Sequence, residues 1–195
     1  MKKMLLILAL AMVSYANAQK GTVLVGGNIG FTSENIDQQT DERKTNSFSF
    51  SPKVGYQFHE NWTVGAEFAI ATSKSKSNAL DTESKYKDLR VGAFVRYTMP
   101  LNETFSVFAD LGAGFQNRTS KDFMSDMLMS DSKADGFYTN LTPALFINMK
   151  KGFGLNFSIG GIEYQTLKFD NNDTKYNSFV FNFGKTINIG VSKNF

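Results

Sequence analysis

Between Asn177 and Phe195 a large apolar residue stands at nearly every second position: Phe179, Phe181, Phe183, Ile187, Ile189, Val191 and Phe195. Ser178, Asn182, Gly184, Thr186, Asn188, Gly190, Ser192 and Asn194 fill the places between. A period of two sends successive side chains to opposite faces of a strand. Ordinary strands run about 5–6 residues, so a strand this long meets two different surroundings along its whole length. Lys185 and Lys193 share the parity of the phenylalanines. They are expected near the two rims of an apolar band, with Ile187, Ile189 and Val191 between them.

Seven earlier stretches carry the same alternation: residues 21–32, 45–58, 62–71, 85–99, 104–117, 137–149 and 153–167. Phe48, Phe50, Val54, Tyr56 and Phe58 alternate with Ser47, Ser49, Ser51, Lys53, Gly55 and Gln57. Leu89, Val91, Ala93, Val95, Tyr97 and Met99 oppose Arg90, Gly92, Phe94, Arg96 and Thr98. Pro52 and Pro143 interrupt apolar faces, where a missing N–H is awkward for a ladder. After Gly160-Gly161 the phase shifts to Ile162 and Tyr164, as a bulge causes.

The connections alternate in length. Residues 33–44, 72–84, 118–136 and 168–176 are polar and without period, and are expected as loops. His59-Glu60-Asn61, Pro100 to Glu103 and Lys150-Lys151-Gly152 are short turns. An even number of strands with short turns at one end and long connections at the other is the pattern of an outer-membrane barrel. The polar faces carry Gly, Ser, Thr, Asn and Ala with few charges. Small residues suit an eight-stranded lumen, which side chains just fill. Phe48 to Phe58 and Phe105 to Phe115 would each span roughly 25 Å at a tilt near 40°.

Lys2 and Lys3, the apolar run Met4–Val13 and the small residues Ala16-Asn17-Ala18 read as a secretory signal peptide, residues 1–18, cleaved after Ala18 by the Sec route. The barrel domain then spans residues 19–195. Losing Lys2 and Lys3 lowers the formal charge from +3 to +1, which gives no reason to expect a nucleic-acid partner. The absence of Cys excludes disulfides and thiolate metal sites. With one His as well, no metal set and no cofactor is expected. The composition of 19 Phe, 7 Tyr and only 3 Pro favours strands over disorder.

With these residues in view, the chain resembles the small eight-stranded bacterial outer-membrane β-barrels of the OmpA/OmpX type, the porin-like outer membrane protein beta-barrel domain family. The resemblance covers Gln19 to Phe195. It implies an all-β, antiparallel up-and-down transmembrane barrel in the bacterial outer membrane, in contact with outer-membrane lipid. It also implies that the barrel-assembly machinery reads the terminal strand through Ile189, Val191 and Phe195. Lys193 departs from that alternation, although a lysine snorkels at an interface.

The candidate lumen charges are Lys53, Glu67, Arg90, Arg96 and Asp110. Charges in so narrow a space must pair, so a structural plug is the first reading and a gated path the second. Phe123, Met124, Met127, Leu128 and Met129 form a Met-rich cluster in the third long connection, spaced for one face of a short helix. It either folds over the rim or offers an adaptable surface to an extracellular protein or polysaccharide. His59 falls in a short turn on the periplasmic side, away from any Ser or Asp partner. The reading that follows is a structural, adhesion or surface-interaction barrel without catalysis. A narrow porin-like channel, a lipid-modifying enzyme and a soluble lipocalin-like barrel are its alternatives.

Overall fold

The computed structural model describes residues 21–38, 41–79, 81–150, 152–170 and 174–195. Eight strands make up nearly all of them: β1 (Val23–Gln38), β2 (Asp41–His59), β3 (Trp62–Ser77), β4 (Thr82–Pro100), β5 (Phe105–Met124), β6 (Met127–Lys150), β7 (Phe153–Phe169) and β8 (Lys175–Asn194). Each pairs antiparallel with the next and β8 returns to β1, closing a barrel. In hydrocarbon every backbone N–H and C=O needs a partner, which an open sheet does not supply at its edges.

The short connections lie at the end that holds Val23 and Phe195. His59 pairs with Trp62 across a two-residue turn. Between β4 and β5, the Asn102 side-chain oxygen accepts from the backbone N–H of Thr104 at 2.9 Å and of Phe105 at 2.8 Å. Between β6 and β7, Gly152 takes φ +75°.

At the opposite end three of the polar segments expected as loops, 33–44, 72–84 and 118–136, are mostly paired strand among the described residues. β1 and β2 pair out to Gln38 and Asp41, β3 and β4 out to Ser77 and Thr82, and β5 and β6 out to Met124 and Met127. Alternation vanishes there because both faces carry polar side chains, while the ladder continues. Ser and Thr pairs tie it further: Thr45 with Ser75 at 3.0 Å and Ser47 with Ser73 at 2.9 Å. The expected helix at Phe123–Leu128 is a hairpin instead. Ser125 and Asp126, both at positive φ (47° and 62°), make the tight turn, and such a pair matches the twist of a two-residue hairpin. The 20 residues of β5 extend about 65 Å. That far exceeds the ~25 Å apolar band, so the hairpins stand clear of the membrane.

The apolar face looks outward. Ile29, Phe31, Phe115, Phe179, Phe181 and Ile187 are each more than 60 % exposed, as a lipid-facing wall requires. Trp62 and Tyr97 meet at 4.9 Å near the short-turn end, and Phe115 and Phe137 at 4.8 Å near the other. Inside, Phe94 and Leu167 are fully buried. Small inward residues make room for the large ones. A Cβ on Gly65 would stand 2.7 Å from the Phe94 ring, and one on Gly114 2.9 Å from the Tyr138 ring.

Two features depart from simple alternation. Closure of β8 on β1 is confined to Leu24–Gly27 against Val191–Asn194, with Val23 and Phe195 exchanging backbone hydrogen bonds of 3.0 and 3.2 Å below them. Along β7 and β8 the pairs run from Ser158–Asn188 to Gly160–Phe183, so β8 bulges where β7 does not. The backbone of Lys185 stands in this bulge, opposite Ile159 and inside the apolar band rather than at its rim; its side chain lies outside the described residues. Lys193 is at the short-turn rim, 4.2 Å above the Phe195 ring. The proline effects are local. The β2–β3 ladder skips Pro52 between Phe50–Ile70 and Lys53–Glu67, and the β6–β7 register slips between Leu141 and Ala144.

Gly160 combines φ +99° with a backbone so close that a Cβ would strike the Asn182 carbonyl, whereas Gly184, at φ +78°, has nothing within 4 Å. Gly160→Ala is therefore expected to cost more than the ~1–3 kcal/mol of left-handed strain that Gly184→Ala costs. Urea unfolding in detergent, followed by heat-modifiable gel migration, measures both. Equal midpoints would contradict the bulge geometry.

Candidate functional site

The inward faces of β2 to β5 place Lys53, Glu67, Arg96 and Asp110 in one network. Lys53 Nζ lies 2.9 Å from Glu67 Oε2 and 3.0 Å from Asp110 Oδ2. Arg96 grips Asp110 with both arms, Nε to Oδ1 at 2.6 Å and Nη2 to Oδ2 at 2.9 Å. Its guanidinium stacks 3.7 Å from the centre of the Phe108 ring. Tyr138 Oη donates to Glu67 Oε1 at 2.8 Å. Glu67, Arg96 and Asp110 are all buried, Asp110 to 3 % exposure. Two cations face two anions, so the cluster is neutral, and bidentate geometry makes the Arg96–Asp110 pair its firmest link.

Arg90, grouped with these four by sequence, belongs to a second network nearer the hairpins. It makes paired bonds to Glu163 at 3.1 and 3.2 Å and a third to Asp88 at 3.0 Å. Arg118 donates to the same Asp88 at 3.0 Å and to Gln165 at 3.1 Å. Tyr86 donates to Asp88 at 3.2 Å. This cluster is also neutral.

Three links span the lumen. Lys53–Asp110 joins β2 to β5, Glu67–Tyr138 joins β3 to β6, and Arg90–Glu163 joins β4 to β7. Each crosses between strands three apart in the ring, so the networks cross the part of the interior enclosed by β2 to β7. Cavities remain on the β6–β8 and β1 side of the lumen, one of about 70 Å³ beside Lys53, Arg96, Phe108 and Asp110 and one of about 280 Å³ lined by Asn140, Thr142, Ser158 and Asn188.

Asp88, Arg118, Glu163 and Tyr138 were not singled out by sequence. Arg118 continues the even parity of Phe108, Asp110, Gly112, Gly114 and Gln116, a signal hidden because the outward alternation ends at Phe115. Glu163 lies just past the β7 phase shift.

Outside the lumen, Met124, Met127, Leu128 and Met129 are exposed around the β5–β6 hairpin tip, while Phe123 is half-buried 4.5 Å from the Lys85 ammonium. Ile189 and Val191 face outward on β8, and Phe195, just past its end, is exposed. His59 is exposed at the end of β2, and no cluster of three or more metal-ligating groups occurs among the described residues. At the hairpin end Glu83 bridges three lysines: Lys76 and Lys85 at 2.8 Å and Lys74 at 3.0 Å. Hydrogen bonds from Lys76 and Lys85 hold its carboxyl down at about 2.

Comparison with known proteins places this geometry. The outer membrane protein beta-barrel domain family matches residues 4–195. Among solved structures, Ail, the attachment invasion locus protein of Yersinia pestis, is 18 % identical with a TM-score of 0.51, over 91 % of this chain and 100 % of that one. OprG from Pseudomonas aeruginosa is 14 % identical with a TM-score of 0.48, over 90 % and 96 %. Neisserial surface protein A is 14 % identical with a TM-score of 0.42, over the same shares. A search of curated proteins returns no matching sequence.

Removing one partner of a buried pair strands the other charge, at a cost of roughly 3–5 kcal/mol. Asp110→Asn leaves Arg96 and Lys53 facing each other and is expected to destabilise on that scale. The double variant Arg96→Met/Asp110→Leu is expected to lose far less than the sum of its single variants. A double-mutant cycle by urea unfolding in detergent checks this, and additive losses would contradict the network.

Proposed function

The chain belongs to the outer membrane protein beta-barrel domain family, and from that premise we propose that it acts through its extracellular hairpins, as an adhesion or surface-interaction barrel without catalysis. It is an integral protein of the bacterial outer membrane. The observation that carries the proposal is the barred lumen. Lys53–Asp110, Glu67–Tyr138 and Arg90–Glu163 span the interior with direct contacts of 2.8 to 3.2 Å. A solute path through that part of the lumen would require these buried pairs to part, at the cost of desolvated charge. The hairpins, by contrast, are long, rigid ladders that hold chemically distinct tips away from the bilayer.

In this reading the β5–β6 tip is the contact surface. Met127 and Met129 are more than 60 % exposed beside Leu128, and methionine surfaces adapt to varied partners. An extracellular protein or polysaccharide is the class of partner. Residues 1–18 serve as the leader removed after Ala18, and the Ile189, Val191 and Phe195 face of β8 as the signal to the barrel-assembly machinery. A protein named for attachment shares the fold, which is compatible with this role. His59, alone at the short-turn end, supports no lipid-modifying chemistry at the outer face.

Display of the protein on cells that lack it, with attachment counted on immobilised extracellular protein or polysaccharide, tests the role. The triple variant Met127→Ser/Leu128→Ser/Met129→Ser is expected to lower attachment about tenfold, the scale of a lost apolar hot spot. Attachment unchanged in that variant would contradict the assignment of the tip.

A further inference from the structure

The outward face just above the apolar band carries a surplus of lysine. Lys74 of β3, Lys85 of β4 and Lys121 of β5 stand directly opposite one another on three adjacent strands. Lys76 lies one outward position above this row and Lys87 one below. Like charges directly opposite across a sheet destabilise it, so this row needs anions. Among the described residues Glu83 bridges Lys74, Lys76 and Lys85, and Asp131 reaches Lys121 at 3.0 Å. Five lysines thus share two carboxylates in direct ion pairs, with Asp81 and Asp126 acting on Lys76 from farther off. Lys87 is exposed and makes no ion pair with a carboxylate of the described residues.

The same place holds a groove of about 510 Å³. Phe31 and Phe48, both exposed, line it on one side, and Lys74, Lys85, Lys87 and Lys121 on the other. Its height is set by register. Lys87 is the next outward residue above Leu89, and Lys74 is the second above Ile70. Each outward step rises about 5 Å along the membrane normal for a strand tilted near 40°. The ammonium groups therefore lie at headgroup depth, while the two phenylalanines reach the top of the acyl layer.

We propose that this groove binds the phosphate groups of an outer-leaflet glycolipid, with Lys74, Lys85, Lys87 and Lys121 as the phosphate ligands and Phe31 and Phe48 against the acyl chains. The side chains point sideways into the leaflet rather than upward from the tips. The tips carry acid instead, Asp81 and Asp126, which opposes a soluble polyanion arriving from above. The site is independent of whatever the β5–β6 tip binds.

Native mass spectrometry of the full-length mature barrel, released from detergent after incubation with a bis-phosphorylated outer-membrane glycolipid, tests the assignment. Charge near an anionic surface is additive at about 1 kcal/mol per lysine. Lys74→Gln/Lys85→Gln/Lys121→Gln is therefore expected to reduce retained glycolipid by tenfold or more, and Lys87→Gln, which leaves Glu83 untouched, by severalfold. Lys193→Gln, the same charge change at the opposite rim, leaves retention intact. The glycolipid stripped of its phosphates is expected not to be retained, and millimolar inorganic phosphate not to compete. Heat-modifiable migration establishes that each variant is folded. Equal retention by folded triple and single variants, equal retention of the phosphate-free lipid, or preferential capture of a soluble sulphated polysaccharide or of phosphate alone would each overturn the proposal.

Discussion

Asp110 is the charge around which the interior is assembled. A lumen ringed by eight strands is filled by side chains and leaves too little water to solvate a lone carboxylate. Asp110 therefore takes both arms of Arg96 and the ammonium of Lys53. Lys53 in turn needs Glu67, and Glu67 takes the hydroxyl of Tyr138. Each step crosses to another strand, so neutrality and the spacing of the wall are solved together. The Arg90–Glu163–Asp88–Arg118 set repeats the solution nearer the hairpins. Gly65, Gly92, Gly112 and Gly114 leave the space that Phe94, Tyr138 and Glu67 occupy.

With the lumen crossed by its own ion pairs, function is assigned to the outer surfaces. They divide by height. The apolar band meets acyl chains, the lysine rows above it lie level with headgroups, and the hairpin tips stand beyond the leaflet. Strand length carries this division: the ladders continue well past the band, and cross-strand Ser and Thr pairs hold them together where burial no longer helps. The tips are thereby presented on stiff supports rather than on loose loops.

The membrane-spanning part was legible in the sequence because lipid on one face and packed small residues on the other impose a period of two that nothing else in the chain obscures. Strand number, sequential pairing and the inward place of Lys53, Glu67, Arg96 and Asp110 all follow from it. The period ends where both faces carry polar side chains, so the paired segments beyond Phe115 or Ile70 looked irregular, and the Met-rich stretch looked helical. Arg118 and Asp88 were hidden in that region although their parity already pointed inward. Bulges erased the signal elsewhere. Glu163 follows the β7 phase shift, and Lys185 falls within the β8 bulge rather than at a rim. Alternation also says nothing of how far two strands pair, which is why the short β1–β8 seam was not foreseen.

Ion pairs that close the lumen leave the barrel to work from its outer surface and to carry no steady current. Single-channel recording of the folded protein in planar bilayers tests it most directly. The native protein is expected to show no steady open level, with openings only when Asp110 or Glu163 is neutralised and the cross-lumen links part. A stable ohmic conductance from the native barrel would contradict it.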